Sequence, residues 1–389
     1  MPPLRIGLVF NHKHGSCRDM LRGIRHYAES KADWLFAPVA PEVPALAQLA
    51  RLKPVGLIAQ IYSAPLAKRL LAFRLPLVNI ASFNASPLLV KQHVPHVGAD
   101  NHQVAQLAAT YLLERGLRHF GFVGSSRYDF SRQREVSFRQ AIEAAGHAVS
   151  CFDKMESLAF EQLYRLWSLD EPLLQWLRGV AKPIGIFACQ DAWGAHLVEA
   201  CHYAGLHVPD EVALLGVDND DLLCELTRPA LSSIDVPYER IGYEAAALFD
   251  RLLAGEKPDA EAVLFPPLGV VPRLSTDVLT IADADVAAAV RFIREQGHLP
   301  LRVRDVLRAV PVSRRSLERR FFQALRHGLG EEIRRVHLER AKMLLASTDL
   351  STPQVAERSG FSNAKHLATI FRLELGITPT AYRRRFRLR

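Results

Sequence analysis

The chain has 389 residues, enough for two or three domains, and carries 49 Lys+Arg against 41 Asp+Glu, a formal net charge of +8. The charge is uneven: residues 281–389 hold 22 basic and 11 acidic residues, a net of +11, leaving 27 and 30 in residues 1–280, a net of −3. No apolar run approaches the ~18 residues of a membrane span, and the five cysteines (Cys17, Cys151, Cys189, Cys201, Cys224) are odd in number and dispersed, which argues against a disulfide framework or structural zinc. The chain enters an apolar run at Leu4 without a signal-peptide pattern, so a cytoplasmic location with no membrane partner is expected.

From residue 4 to 270, short apolar runs alternate with amphipathic stretches. Strands are expected at residues 5–10, 55–61, 76–80, 119–124, 184–188 and 213–217, and helices at 17–30, 101–115, 131–145 and 194–204. Nearly continuous apolar strands alternating with helices imply an α/β class with parallel sheets covered on both faces. About 270 residues exceed one ordinary doubly wound domain, so two lobes with a cleft are expected. The division expected is a two-lobed α/β domain over residues 1–270, a connector over 271–285, and an all-α domain over 286–389.

Ligands of such sheets sit at the carboxyl ends of the strands. Asn11 follows the first strand, Gln190 and Asp191 follow the fifth, and Asp218 follows the sixth; Arg134 is expected to open a helix after the fourth. A carboxylate can accept two hydroxyl protons while an arginine donates to hydroxyl oxygens, which suits vicinal sugar hydroxyls. Taken singly, each could be a helix cap or turn residue; as a set, they point to a cleft.

Beyond residue 285 one pattern occurs twice. Val306, Val312 and Ser313 recur 49 residues on as Val355, Phe361 and Ser362, and Leu317 and Phe321 recur 50 residues on as Leu367 and Phe371. Each copy reads as a short helix, a turn, a serine cap and a longer helix, a helix-turn-helix. Its second helix belongs in the major groove of double-stranded operator DNA. In the first copy Arg314, Arg315, Ser316, Glu318 and Arg319 face away from the apolar positions. In the second, Asn363, Ala364, Lys365, His366 and Thr369 do so, with Asn363 also a helix-start residue. Arg315 and Arg319 are four apart and can reach guanine. Arg314, Arg320, Arg383, Arg384 and Arg385 are expected on phosphates, and a helix over 331–346 should fix the distance between the copies.

No phosphate-binding loop, zinc-protease or nucleophile-elbow motif occurs, so no catalytic residue, metal or cofactor is expected and the chain reads as a non-enzyme. His12 and His14 lack partner spacing for a metal. Asp191 and Asp218 could pose as a hydrolase pair, but hydroxyl binding is the better reading.

Residues 184–255 resemble the C-terminal lobe of the LacI/periplasmic-binding-protein family. The stretches that carry this are Ile-Phe-Ala-Cys-Gln190-Asp191, Leu-Leu-Gly216-Val-Asp218-Asn and Ile241-Gly242-Tyr-Glu-Ala-Ala246. Residues 97–146 resemble its other lobe, through Asp100-Asn101 before a helix and Arg134-Glu-Val-Ser-Phe138. Ser137 stands where the family has Gly, and Gln190 where Asn is common. Leu317-Glu-Arg-Arg-Phe321, Ala356-Glu-Arg-Ser-Gly360-Phe361 and Gly376-Ile-Thr-Pro379-Thr-Ala-Tyr382-Arg383 resemble the AraC family's DNA-binding domain, where Thr369 replaces a frequent Arg. Together these resemblances imply a ligand-binding role for Asp100 beside Asn11, Arg134, Gln190, Asp191 and Asp218. They further imply a pentose effector such as xylose, activation of sugar-utilisation genes, a homodimer, and RNA polymerase as a further partner. The alternatives are a regulator of the same build sensing a non-sugar molecule, and a constitutive DNA-architectural protein.

Overall fold

The computed structural model describes residues 3–11, 14–31, 33–81, 87–153, 171–256, 262–278, 283–325 and 327–386. The chain divides into two compact units, residues 1–278 and 279–389. The first unit opens with a parallel sheet of order β2-β1-β3-β4, made of β1 (Leu4–Val9), β2 (Trp34–Val39), β3 (Gly56–Ala59) and β4 (Leu77–Asn79). Helices α1 (Gly15–Ala28), α2 (Val43–Arg51), α3 (Ala64–Leu71) and α4 (Pro87–Lys91) are interleaved with it. The expected strands 5–10, 55–61 and 76–80 are here, the first shifted by one residue and the other two shorter by three and two residues. β2 was not foreseen. Only its Trp34 and Ala37 are buried, Leu35 is exposed, and it contains an exposed Pro38, as an edge strand permits.

The second lobe begins with β5 (Val97–Ala99) and α5 (Asn101–Leu113). It continues through β6 (His119–Val123), α6 (Asp129–Ala144), β7 (Val149–Phe152), α7 (Glu171–Gly179), β8 (Ile184–Ala188), α8 (Asp191–Ala204), β9 (Val212–Val217), α9 (Asp221–Leu226) and β10 (Ser232–Asp235). The chain then returns as α10 (Tyr238–Leu253), β11 (Val263–Phe265) and β12 (Gly269–Val271). Six strands form a sheet of order β12-β10-β9-β8-β6-β7, parallel except for β12 against β10. β5 and β11 pair with each other as a two-stranded parallel ribbon. The strands β6, β8 and β9 are almost wholly buried, which is why they read as continuous apolar runs.

α10 belongs to the first lobe although it follows β10 of the second. Its Phe249 ring meets Trp34, and Asp250 accepts from Tyr27 Oη at 2.9 Å and pairs with Lys31. α1 and α10 cross at glycines. A Cβ on Gly23 would lie 1.8 Å from the Glu239 carbonyl oxygen, and one on Gly242 would lie 2.0 Å from that of Met20. Backbone meets backbone there, so no side chain can swing aside. Gly23→Ala is therefore expected to lower stability by about 1 kcal/mol or more, even after the helix-propensity gain of alanine. A denaturant midpoint equal to that of wild type, at unchanged slope, would refute this.

The expected connector is half absorbed into the first unit. Ser275 and Thr276 are buried, with Ser275 Oγ donating to the Leu214 carbonyl at 2.6 Å and Arg115 Nε donating to that of Thr276 at 2.9 Å. Residues 279–282 lie outside the described residues, and α11 (Ala284–Glu295) starts at the cap Asp283. The sequence reading missed this because serine and threonine resemble linker residues until their hydroxyls are seen paired.

The second unit continues with α12 (Val303–Ala309), α13 (Arg314–Leu325), α14 (Leu329–Ser347), α15 (Thr352–Arg358), α16 (Ala364–Leu375) and α17 (Pro379–Phe386). It has two apolar cores. Val306, Leu317, Phe321, Leu329 and Ile333 belong to one; Leu338, Ala341, Leu345, Val355, Phe361, Leu367 and Phe371 belong to the other. α14 enters both, so one helix of 19 residues, about 28 Å long, spaces the two helix-turn-helix units.

Candidate ligand site and nucleic-acid interface

In the first unit, the ends of β8 and β9 bring three expected residues together. Arg134 is buried in the second turn of α6, not at its opening as the sequence suggested. Its Nε donates to Asn101 Oδ1 at 2.9 Å and its Nη1 to the Cys189 carbonyl at 2.5 Å, and the guanidinium lies 5.4 Å from the Phe130 ring centroid. Asp218 is half-buried at the end of β9. Tyr238, the first residue of α10, donates its hydroxyl hydrogen to Asp218 Oδ1 at 2.5 Å. Burial pushes the Asp218 carboxyl up to about 6, while the charge of Arg134 and the Tyr238 hydroxyl oppose that rise. Gln190 is buried where β8 runs into α8, and its side-chain Nε2 has no hydrogen-bond partner among the described residues. A buried amide without an acceptor is costly unless a ligand supplies one.

The loop carrying Asp218 is held in a conformation that L-residues rarely adopt. Asp218 has φ of 111° and Asn219 of 51°, at a cost on the order of 1–3 kcal/mol each. Four hydrogen bonds hold it: Asp218 N to the Ile234 carbonyl (3.0 Å), Asn219 N to Ser233 Oγ (3.0 Å), Asp220 N to Asp191 Oδ2 (2.8 Å) and Arg273 Nη2 to Asn219 Oδ1 (2.9 Å). Asp191 is thus a correction to the sequence reading. It is fully buried, its Oδ1 accepts from Ser233 Oγ at 2.6 Å, and its Oδ2 accepts from the loop. Burial, aided by the charge of Asp218, holds the Asp191 carboxyl well above the usual range. It shapes the loop from behind. Gly216 is required there, since a Cβ would lie 2.1 Å from Asp191 Oδ1.

Asp100 is the second correction. It caps α5, its carboxylate accepting from Gln103 N at 3.0 Å and from Gln103 Nε2 at 2.7 Å. Its neighbour Asn101 is the residue that grips Arg134, and Asn101 Nδ2 also donates to Gln133 Oε1 at 2.9 Å. Asn11 is half-buried just beyond β1, where its carbonyl accepts from His14 N at 3.2 Å; His12 lies outside the described residues.

The first lobe faces this group with its own wall. Cys17 Sγ donates to Gln60 Oε1 at 3.1 Å, and burial pushes the Cys17 thiol up to about 12, so it stays protonated. Arg18 lies 3.9 Å from Asp220, and a Cβ on Gly15 would lie 2.4 Å from Asp220 Oδ2, so the start of α1 meets the second lobe's loop. Tyr62 meets Tyr128 across the lobes with ring centroids 6.5 Å apart, and Tyr128 stacks on Phe130 at 5.5 Å. Tyr238 and this aromatic run escaped the sequence reading, and Asn101 figured there only before a helix, because no short motif marks a residue whose role depends on a distant strand end.

In the second unit, α13 and α16 turn apolar residues inward and the expected set outward. Arg314, Arg315 and Arg319 are exposed on α13, with Ser316 and Glu318 half-buried. Arg314 Nε pairs with Glu318 Oε1 at 2.9 Å, which leaves Arg315 and Arg319 as outward cations of this helix without an ion pair among the described residues. Ser313 Oγ accepts from Ser316 N at 3.3 Å, the expected serine cap. In the second copy the cap is Asn363 and not Ser362: Asn363 Oδ1 accepts from His366 N at 2.8 Å. Lys365, His366 and Thr369 are exposed and Ala364 is half-buried; Thr369 Oγ1 bonds back to the Lys365 carbonyl at 3.0 Å.

Two arginines expected at DNA are engaged elsewhere. Arg383 donates through Nη2 to the Leu350 carbonyl and through Nε to the Leu345 carbonyl at 3.4 Å, capping α14. Arg320 forks onto Asp283 and onto Asp285 at 2.8 Å, tying the start of α11 to α13. Arg384 is exposed, and the side chain of Arg385 lies outside the described residues.

Two family models match. A periplasmic binding protein-like domain covers residues 109–276 and a helix-turn-helix domain covers residues 306–385. The xylose operon regulatory protein of Haemophilus influenzae is 28% identical over 384 residues, 97% of this chain and 98% of that protein. The xylose operon regulatory protein of Escherichia coli K12 is 28% identical over 388 residues, 97% of this chain and 96% of that protein. A solved structure described as the xylose-binding transcription activator xylR superposes with a TM-score of 0.81 at 27% identity, covering 99% of this chain and 98% of that one. Along nearly its whole length the chain is similar to the xylose operon regulatory proteins, and it combines a periplasmic-binding-protein-like domain with a C-terminal helix-turn-helix domain.

Proposed function

We propose that this protein is a sequence-specific transcriptional regulator that reads operator DNA through α13 and α16 and is controlled by a small sugar, a pentose such as xylose, held between the lobes of its first unit. The observation that carries the sugar reading is the convergence of a buried guanidinium, a half-buried carboxylate and an unpartnered buried amide at Arg134, Asp218 and Gln190. Guanidinium and amide donate to hydroxyl oxygens, and the carboxylate accepts hydroxyl hydrogens. Aromatic faces at Tyr62, Tyr128 and Phe130 flank this group and suit the C–H face of a sugar ring.

The xylose-binding activator of the same build supports xylose as the first ligand to try and activation as the sense of the response. A homodimer, a contact with RNA polymerase and a cytoplasmic location belong to the same reading. No helix among the described residues is long and apolar enough to cross a membrane. The relatives are transcriptional regulators, which supports a role other than catalysis.

Calorimetric titration of a panel of aldoses, with and without operator DNA, tests the reading. Xylose is expected to bind more tightly in the presence of operator, by a coupling of about 1–3 kcal/mol. Identical affinities would mean that sensor and reader are uncoupled. The pH dependence has a definite sign. Only ionised Asp218 accepts from two hydroxyls, and its carboxyl titrates near 6. Affinity is therefore expected to be full above pH 7 and to fall as pH drops through 6, approaching about tenfold per unit. A flat profile between pH 5 and 8 would remove Asp218 from the site.

A further inference from the structure

We infer that the Tyr238 hydroxyl is the link that reports occupancy of the cleft to the first lobe, so that Tyr238 is a positioning residue for the switch and not a ligand contact. The inference rests on the sugar reading of the cleft and adds how that site is coupled to lobe movement. Its basis is that one short hydrogen bond joins two bodies held separately. On one side is Asp218, whose loop is anchored wholly in the second lobe through Ile234, Ser233, Asp191 and Arg273. On the other side is Tyr238, buried at the first turn of α10.

α10 moves with the first lobe. Its backbone packs directly against that of α1 at Gly23 and Gly242, with no side chain between them, so α1 and α10 form one packed pair. Phe249 of α10 also packs against Gly56 of β3 and meets Trp34 of β2. The covalent path from the loop to α10 runs by way of β10 and then Val236 and Pro237, one of the crossovers between the lobes. The phenol short-circuits that crossover, spanning from the strand end of one lobe to the helix start of the other at 2.5 Å.

Asp218 therefore has two faces. Oδ1 is occupied by the first lobe's tyrosine, and the second oxygen is the acceptor the sugar hydroxyls use. When a sugar draws on the carboxylate, hydrogen bonds to the same group compete or reinforce through it, and the change is felt at α10. Arg134 stands beside both the carboxylate and the phenol, its charge lowering the titration of each. The same closed contact is extended by Asp220, which meets the start of α1.

The test is Tyr238→Phe in the full chain. It removes one oxygen from a ring that stays packed, so the fold is retained. At pH 8, where Asp218 is ionised with or without the phenol, xylose affinity by calorimetry should stay within about fivefold of wild type, the size of one net hydrogen bond. Hydrogen exchange should separate the lobes. In wild type, xylose should slow exchange both in the Asp218–Asp220 loop and in α1. In Tyr238→Phe it should still protect the loop but lose most of the protection of α1.

A second readout is one that a merely structural role would not move. Without the hydroxyl, the midpoint of the affinity-against-pH profile should shift upward, because Asp218 loses a hydrogen bond that favours its charged form. Undiminished protection of α1, or an unmoved pH midpoint, overturns the inference while leaving the sugar reading standing. Absence of heat and of protection with every pentose in wild type overturns the sugar reading, and this inference with it.

Discussion

Asp218→Ala is expected to weaken xylose binding by about ten- to a hundredfold, a loss on the order of 1.5–3 kcal/mol for a charge-assisted acceptor. The argument is local. The carboxylate is half-buried at the end of β9, beside the buried Arg134 guanidinium. Removing it leaves sugar hydroxyls without an acceptor, and Tyr238 Oη without the one it uses. The fold should survive. Ionised Asp218 is disfavoured by burial, and the loop keeps its backbone bonds to Ile234, Ser233 and Asp191. Replacement can even raise stability near pH 8. An acid whose carboxyl is raised in the folded state opposes folding once pH exceeds its folded value. Calorimetric titration, with thermal unfolding as the control, decides the matter: wild-type affinity in an intact Asp218→Ala variant would exclude Asp218 from the ligand contacts.

Arg315→Ala is expected to cost about 1–3 kcal/mol on the operator and far less on random DNA, because a bidentate contact to guanine discriminates between bases. Arg315 is exposed in the first turn of α13, without an ion pair among the described residues, whereas Arg314 is already paired with Glu318. Arg384→Ala, by contrast, should weaken binding to all sequences alike and lower the salt slope by about one ion. Arg383→Ala and Arg320→Ala should act through stability instead. Their guanidinium groups hold the end of α14 and the start of α11. Fluorescence anisotropy on operator and scrambled duplexes across a salt series separates these roles. Equal losses on both duplexes for Arg315→Ala would move it to the phosphate class.

The sites differ in how much of their logic can be read in one dimension. In the second unit the repeat spacing of 49–50 residues, the apolar positions Leu317, Phe321, Leu367 and Phe371 and the charge of residues 281–389 are all periodic or compositional. Helical periodicity converts such a pattern directly into a face, so the outward set on α13 and α16 agrees with the expectation. What went astray there were long side chains. Arg320 and Arg383 reach acceptors 35–37 and 33–38 residues away in sequence, Asp283 and Asp285 for the one and Leu350 and Leu345 for the other.

In the first unit the apolar strands announced parallel sheets, and their polar ends announced a cleft. The division of labour among those ends was not legible. Asp191, Asp218 and Asp100 look alike in sequence, all polar residues at the end of an apolar run. Their roles part only when the neighbours arrive: Ser233 and the Asp220 amide consume Asp191, Gln103 consumes Asp100, and Tyr238 leaves one oxygen of Asp218 to the cleft. The amino-acid sequence by itself determined the class of both units, the duplicated helix-turn-helix and the strand ends where polar groups gather, since these follow from local periodicity and charge. The tertiary structure alone decided which carboxylates are held by neighbouring groups and that Tyr238 bonds across to Asp218, because hydrogen bonds between residues distant in sequence settle which polar groups are already satisfied.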